Sequence, residues 1–226
     1  MLASWLRETP GRRGIAAAAL MLALAGAAGC GQQNTTGRSP SYLVVESIQA
    51  ASGAKPSSFS GTLASDVVTN VSTTVGGETV LSPTVYEDLG QAKLRMALKD
   101  VGTVRSVTTP TATNLITVTR YRVEFKRSDG RNTQGVDVPY AFDGSASGTF
   151  GTDGATLTFA LVRAQAKLEA PLKALRGGGG ALLISTIAEL TFFGQDQNGN
   201  EVSVTGSISV NFADWGDEAA PESEKK

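Results

Sequence analysis

The sequence predicts an all-β fold, an antiparallel sandwich of seven to nine strands. Two observations carry this. Several stretches alternate apolar and polar residues with a period of two, the signature of a strand buried on one face. Turn dipeptides separate them: Gly76-Gly77, Asp129-Gly130, Asp153-Gly154 and Asn198-Gly199. A third fact shapes the core: with one cysteine in the chain, no disulfide can staple the sheets, so apolar strand faces must hold them together.

The elements follow in order. Tyr42 to Ala50 is rich in β-formers, and Val67 to Val75 runs into Gly76-Gly77, with Thr79 to Leu81 as the returning arm. Gln91 to Lys99 puts Ala92, Leu94, Met96 and Leu98 on one face and Lys93, Arg95 and Lys99 on the other. Leu115 to Arg127 puts Leu115, Tyr121, Val123 and Phe125 opposite Arg120, Arg122, Glu124 and Lys126. Tyr140–Phe142 and Thr149-Phe150 read as short strands flanking a turn at Asp143-Gly144. Ala155 to Ala166 carries Leu157, Phe159 and Leu161 on one face, and Leu182 to Gln195 is a long strand. Glu201 to Phe212 carries Val202, Val204, Ile208, Val210 and Phe212 on one side, with Gly206 as a candidate bulge. Val101 to Asn114 reads as a long loop, and Pro171 to Arg176 as one helical turn followed by a Gly177–Gly180 connector. One immunoglobulin-like sandwich over residues 42–216 is the expectation, with a small open barrel as the alternative.

The first thirty residues have a different character. Arg7, Arg12 and Arg13 precede an apolar run over residues 15–28, which ends at Gly29-Cys30. Such a run is too short for a membrane-spanning helix, which takes roughly 20 apolar residues. A positive start, an apolar stretch and small residues read as a signal peptide. Ala27-Ala28-Gly29-Cys30 resembles the lipobox of bacterial prolipoproteins, with Ala27 where that class usually has Leu. The resemblance covers only the leader and Cys30. It implies cleavage between Gly29 and Cys30, and a diacylglycerol, with palmitate-class acyl chains, on the Cys30 thiol. An ordinary secretory signal, leaving Cys30 as a free thiol, is the other reading. Arg12-Arg13 leaves both the general and the twin-arginine export routes open. By analogy with the class, Gly31 rather than Asp after the cysteine favours the outer membrane, facing the periplasm or the surface, if the source has two membranes. Residues 30–41 then form the lipidated cysteine and a polar tether, and residues 217–226 a charged tail.

The mature portion has 17 Lys+Arg against 20 Asp+Glu, a net charge of −3 that calls for no nucleic-acid partner. Histidine is absent, which removes the commonest general base and metal ligand. With Cys30 lipidated, a zinc site of the usual nitrogen–sulfur type is excluded as well. No metal, cofactor or catalytic residue is expected. Asp196 to Glu201 opens like a calcium loop, but Glu201 stands where the glycine belongs and Ser207 where the closing glutamate belongs. A hairpin turn explains the same residues.

Charge is unevenly distributed. Residues 91–131 carry nine bases and three acids, a local charge of +6. If the two alternating strands of this segment pair, Lys93, Arg95, Arg120 and Arg122 share one face. That face would suit an anionic partner such as a lipid head group, a cell-wall polymer or an acidic protein. A solvated outer face, with long stems covering apolar surface, is the simpler account of the same residues. The expected role is a membrane-tethered, non-enzymatic envelope interaction or structural module. The alternatives are a glycan or cell-wall-polymer binding module, which requires a rim of aromatics and carboxylates, and a hydrolase, which requires a deep polar pocket. Trp215, just after the last strand, is either an exposed aromatic or a plug for the end of the sandwich.

Overall fold

The computed structural model describes residues 37–216. Eight strands form two facing sheets. The first is β1 (Ser41–Ala51), β5 (Asp88–Leu98) and β10 (Ala155–Val162), in the order β1-β5-β10. The second is β2 (Thr62–Asp66), β12 (Glu201–Ala213), β11 (Ile184–Asp196), β8 (Ile116–Lys126) and β9 (Phe142–Phe150), in that order. All pairings are antiparallel except β2 with β12. Two ribbons lie outside the sheets: β3 (Thr69–Val75) with β4 (Glu78–Thr84), and β6 (Gly102–Thr103) with β7 (Ser106–Val107). A single helical turn and a half, α1 (Ala164–Leu168), and a 3-10 turn at Leu172–Leu175 connect β10 to β11. The all-β, sandwich-type architecture is thus established.

The core lies between the sheets and draws on both. Ala92, Leu94 and Met96 face it from β5, as their alternation requires; Leu157, Phe159 and Leu161 face it from β10. Val123 and Phe125, Leu190 and Phe192, and Val204 and Val210 face it from the second sheet. Phe159 joins the sheets directly, 5.2 Å from Tyr121 and 5.5 Å from Phe192 between ring centroids. These separations lie in the favourable range for tilted and edge-to-face aromatic pairs.

Five local features differ from what the sequence alone suggests. Against β11 the register of β8 slips between Val118 and Arg120, leaving Thr119 as an extra residue. The slip changes phase, so Ile116 and Val118 face inward with Tyr121, and Leu115 lies off the buried face. Asp143-Gly144 is not a turn: β9 runs through it, because Gly144 pairs with Tyr121 and gives its ring room. A Cβ at 144 would sit 2.3 Å from that ring. Gly206 is no bulge, since the β11–β12 register runs through it unbroken. Its missing side chain instead admits β1, with Ile48 Cδ1 2.6 Å from where a Cβ would be. Residues 101–114 contain the β6–β7 hairpin and a 3-10 turn at Ala112–Asn114 rather than plain loop. At the N-terminal side, Ser39 and Ser41 are buried and β1 starts at Ser41, so the domain takes in the end of the polar stretch. Ser41 Oγ donates to the Asn114 carbonyl at 2.8 Å.

The strands give the domain two ends. Ser41 pairs with Leu98 at one, Ala51 with Leu89 at the other. The entry end also holds the β6–β7 hairpin, the Gly151–Gly154 turn and the Asn198-Gly199 turn. The far end holds the β3–β4 ribbon, α1 and Trp215. At roughly 3.3 Å per residue, β1 alone separates the ends by about 33 Å.

Candidate functional site

Each cationic pair has its own carboxylate. In β1 a bulge at Val45/Ser47 leaves Glu46 out of the ladder. Its carboxylate takes Lys93 Nζ and Arg95 Nε, both at 2.9 Å. The ammonium of Lys93, bonded to it, is the main cause that holds the Glu46 carboxyl below its ordinary pKa. On β9, Asp143 bridges Arg120 Nη1 at 2.7 Å and Arg122 Nη1 at 2.8 Å. Arg120 also stacks on Phe193, its guanidinium carbon 3.9 Å from the ring centroid. Lys126 pairs with Glu189 at 2.6 Å. Arg127 and Arg131 share Asp129, whose carboxyl they hold far below the usual range by hydrogen bonding.

The pairing that would gather Lys93, Arg95, Arg120 and Arg122 on one face does not occur. β5 belongs to the three-stranded sheet and β8 to the five-stranded one, so the two pairs occupy the outward faces of different sheets. Three of the carboxylates that answer these bases come from outside 91–131, namely Glu46, Asp143 and Glu189; Asp129 answers Arg127 and Arg131 from within it. Strand pairing thus lowers the local charge of the segment from +6 to +3. Gly29 and Cys30, the expected cleavage and lipidation site, lie outside the described residues, as does the tail 217–226.

Asp196 serves its own turn. Its Oδ1 accepts the backbone N–H groups of Asn198 and Asn200, both at 2.9 Å, and its Oδ2 accepts Asn200 Nδ2 at 2.9 Å. Burial raises its pKa, but these hydrogen bonds together outweigh it and leave the group lowered. Gly199, at φ +80°, takes the left-handed position that closes the hairpin. Among the described residues, no group of three or more acidic or thiol side chains is arranged to hold a metal.

Sequence reasoning missed a buried polar knot at the far end. Asp88, the first residue of β5, accepts Lys167 Nζ at 2.8 Å and Gly53 N at 2.8 Å on Oδ1, and Ser65 Oγ at 2.6 Å on Oδ2. Asp88 and Ser65 are 0% exposed and Lys167 1%. Ser65 donates its proton to the carboxylate, and all three side chains are sealed from solvent. The knot ties together both sheets (β5 and β2), the loop after β1, and α1. Buried charges persist only when paired and hydrogen-bonded in this way. Only the apolar setting of Lys167 could have signalled it, and no partner stands near it in sequence.

An open groove adjoins this end. It has a volume of about 370 Å³ and is lined by Ser52, Lys55, Asp66, Thr69, Asn70 and Trp215, among others. Asp66 organises one wall: its Oδ1 accepts the Trp215 backbone N–H at 3.0 Å and its Oδ2 accepts Thr69 Oγ1 at 2.7 Å. The Trp215 indole is half-buried, and its Nε1 is buried without a hydrogen-bond partner among the described residues. Trp215 is thus both part of the closure at the end of the sandwich and part of the groove wall. An aromatic face beside hydroxyl, amide, ammonium and carboxylate groups can combine stacking with hydrogen bonding. A smaller cleft of about 90 Å³ lies between Tyr140, Arg163 and Glu169. Among the described residues, no helix is long and apolar enough to cross a membrane. Compared with family models, curated proteins and solved structures, the chain has no significant match.

Proposed function

We propose that this chain is a lipid-anchored envelope protein, a non-enzymatic interaction or structural module whose groove points away from the bilayer. One observation carries the reading: the ordered chain enters at one end of the sandwich, and the groove lies at the other. Gly37–Ser41 lead into β1, while Ser52 and Lys55, directly after β1, line the groove. With lipid on Cys30, cut free after Gly29, the groove faces away from the membrane. Outer-membrane residence remains part of the proposal, on the strength of Gly31. The finer immunoglobulin-like assignment belongs to it too, supported by the facing three- and five-stranded sheets without a disulfide.

A second reading, a binding module for glycan or cell-wall polymer, is favoured by the groove itself. Trp215 beside Asp66, Thr69 and Asn70 is the rim of aromatic and hydrogen-bonding groups that such a ligand requires. A photo-crosslinking residue at Asn70, in cells making the lipidated protein, tests the main reading. It should capture a discrete envelope species, and the Cys30→Ala variant should lose both palmitate labelling and the capture. Capture equal to that from Thr156, on the opposite sheet's outer face, would sink the groove's role. Continued labelling of the Cys30→Ala variant would sink the anchor. For the glycan reading, soluble cell-wall fragments should change Trp215 fluorescence, and no change at saturating concentrations would remove it.

A further inference from the structure

We infer that the β6–β7 hairpin is a membrane-contacting tip, its valines entering the interface of the same bilayer that holds the lipid. The inference rests on the anchoring at Cys30 proposed above. Val104, at the turn, is 100% exposed; Val107 is 71% and Val101 67% exposed. Single exposed apolar residues are ordinary on protein surfaces. Three within seven residues, on a turn that presents its central valine wholly to solvent, call for a partner.

The hairpin is a built element. Asp100 Oδ1 accepts Gly102 N at 2.8 Å, and Thr108 N donates to the Val101 carbonyl at 3.1 Å. Gly102 adopts φ +76°, and a Cβ there would lie 2.2 Å from the Ser106 carbonyl oxygen. The backbone is therefore fixed in a form that faces the valines outward rather than folding them onto the sandwich.

Its position names the occupant. The excursion leaves and rejoins the sandwich beside the entering chain, and both stems are stitched to that chain. Lys99 N donates to the Pro40 carbonyl and Lys99 Nζ to the Gly37 carbonyl, each at 2.9 Å. Ser41 Oγ donates to Asn114 O on the returning stem. From Cys30 to Gly37 the chain has seven steps, which span at most about 25 Å when fully extended. A lipid on Cys30 thus keeps this end of the domain beside the bilayer surface. Arg38, Lys99 and Arg105 stand at the same end, with Asp100, Asp153, Asp196 and Glu201 as the acids; Asp100 is committed to the hairpin backbone and Asp196 to its own turn. A valine tip with Arg105 next to it suits the interface, apolar groups inward and guanidinium at the phosphates.

The test uses the mature lipidated protein, in which acylation leaves Cys30 unavailable to thiol reagents. Val104→Cys and, on the far end, Ser128→Cys are each labelled with an environment-sensitive fluorophore. The proteins are reconstituted into vesicles of phosphatidylethanolamine and phosphatidylglycerol, with and without brominated lipid. Emission from position 104 should shift to the blue and be quenched by brominated lipid, while position 128 shows neither. Adding Val101→Asp and Val107→Asp should return position 104 to the solvent-exposed signal. Identical emission and quenching at both positions, on protein whose mass shows the lipid, overturns the membrane-contacting tip and leaves the anchor standing. A mass showing unmodified Cys30 overturns the anchor itself, and the inference with it.

Discussion

Replacing Lys167 with Met should unlock the far end of the domain. The ammonium lies 2.8 Å from Asp88 Oδ1, and neither side chain is more than 1% exposed. The variant leaves the Asp88 carboxylate buried with two donors, Gly53 N and Ser65 Oγ, and no countercharge. Removing one partner of a buried ion pair costs about 3–5 kcal/mol. The two retained hydrogen bonds place this case near the lower bound, about 3 kcal/mol. For a domain of this size each kcal/mol lowers the melting temperature by roughly 2–4 °C, so a fall of roughly 6–12 °C is expected. The Asp88→Asn/Lys167→Met double variant keeps an acceptor for Gly53 N, lets Ser65 Oγ accept from the amide NH2 instead of donating, and strands no charge. It should recover to within about 1–2 kcal/mol of the parent, because the coupling between the two positions is large. Urea denaturation followed by circular dichroism, with the parent and both variants side by side, measures these differences. A Lys167→Met variant within about 1 kcal/mol of the parent, or a double variant no more stable than the single, would refute the reasoning.

Gly144→Ala should destabilise the domain by about 1–3 kcal/mol in the same assay, since its Cβ would press 2.3 Å from the Tyr121 ring; a neutral substitution would show that the ring moves freely. Asp196 has a folded-state pKa below its unfolded value, so its contribution is present above the unfolded value of about 3.9 and is lost as pH falls through the folded one. Stability measured between pH 5 and 2 should therefore decline more steeply in the parent than in Asp196→Asn, and parallel curves would contradict this. Reversing Arg120 and Arg122 to Glu surrounds Asp143 with like charge on an exposed face. It should cost about 1 kcal/mol while leaving crosslinking from Asn70 unchanged, and loss of capture would restore that face as a docking surface.

What was legible in the sequence is what repeats locally. The inward faces of β5, β10 and β12 follow from period-two alternation alone, because the pleat alternates without exception where no bulge intervenes. β8 was legible only in part. Thr119 shifts its phase, and nothing in the run Ile116–Tyr121 marks which residue is the extra one. β9 was split at Asp143-Gly144 because that dipeptide normally turns, and the ring that overrides it comes from Tyr121, on another strand. β2 pairs in parallel with β12, whose residues lie about 150 positions away, so no local turn signal announces it. The site divides the same way. The positive charge of residues 91–131 could be counted, but three of its answering carboxylates, Glu46, Asp143 and Glu189, arrive only through strand pairing and a bulge. The Asp88–Lys167 tie spans 79 positions, and the groove is assembled from the loop after β1, from β2 and β3, and from the residues after β12.

The position of β1 has a mechanical consequence. Interstrand hydrogen bonds in an antiparallel ladder run perpendicular to the strands. A pull between the entry at Gly37 and a partner held at the opposite end acts along β1. It loads the ten register pairs between β1 and β5 in shear, all together, instead of peeling them one by one. Glu46, bridging Lys93 and Arg95 across the bulge, adds a rivet midway along that seam. A domain moored at this point would resist traction directed away from its mooring better than the same force applied across its strands.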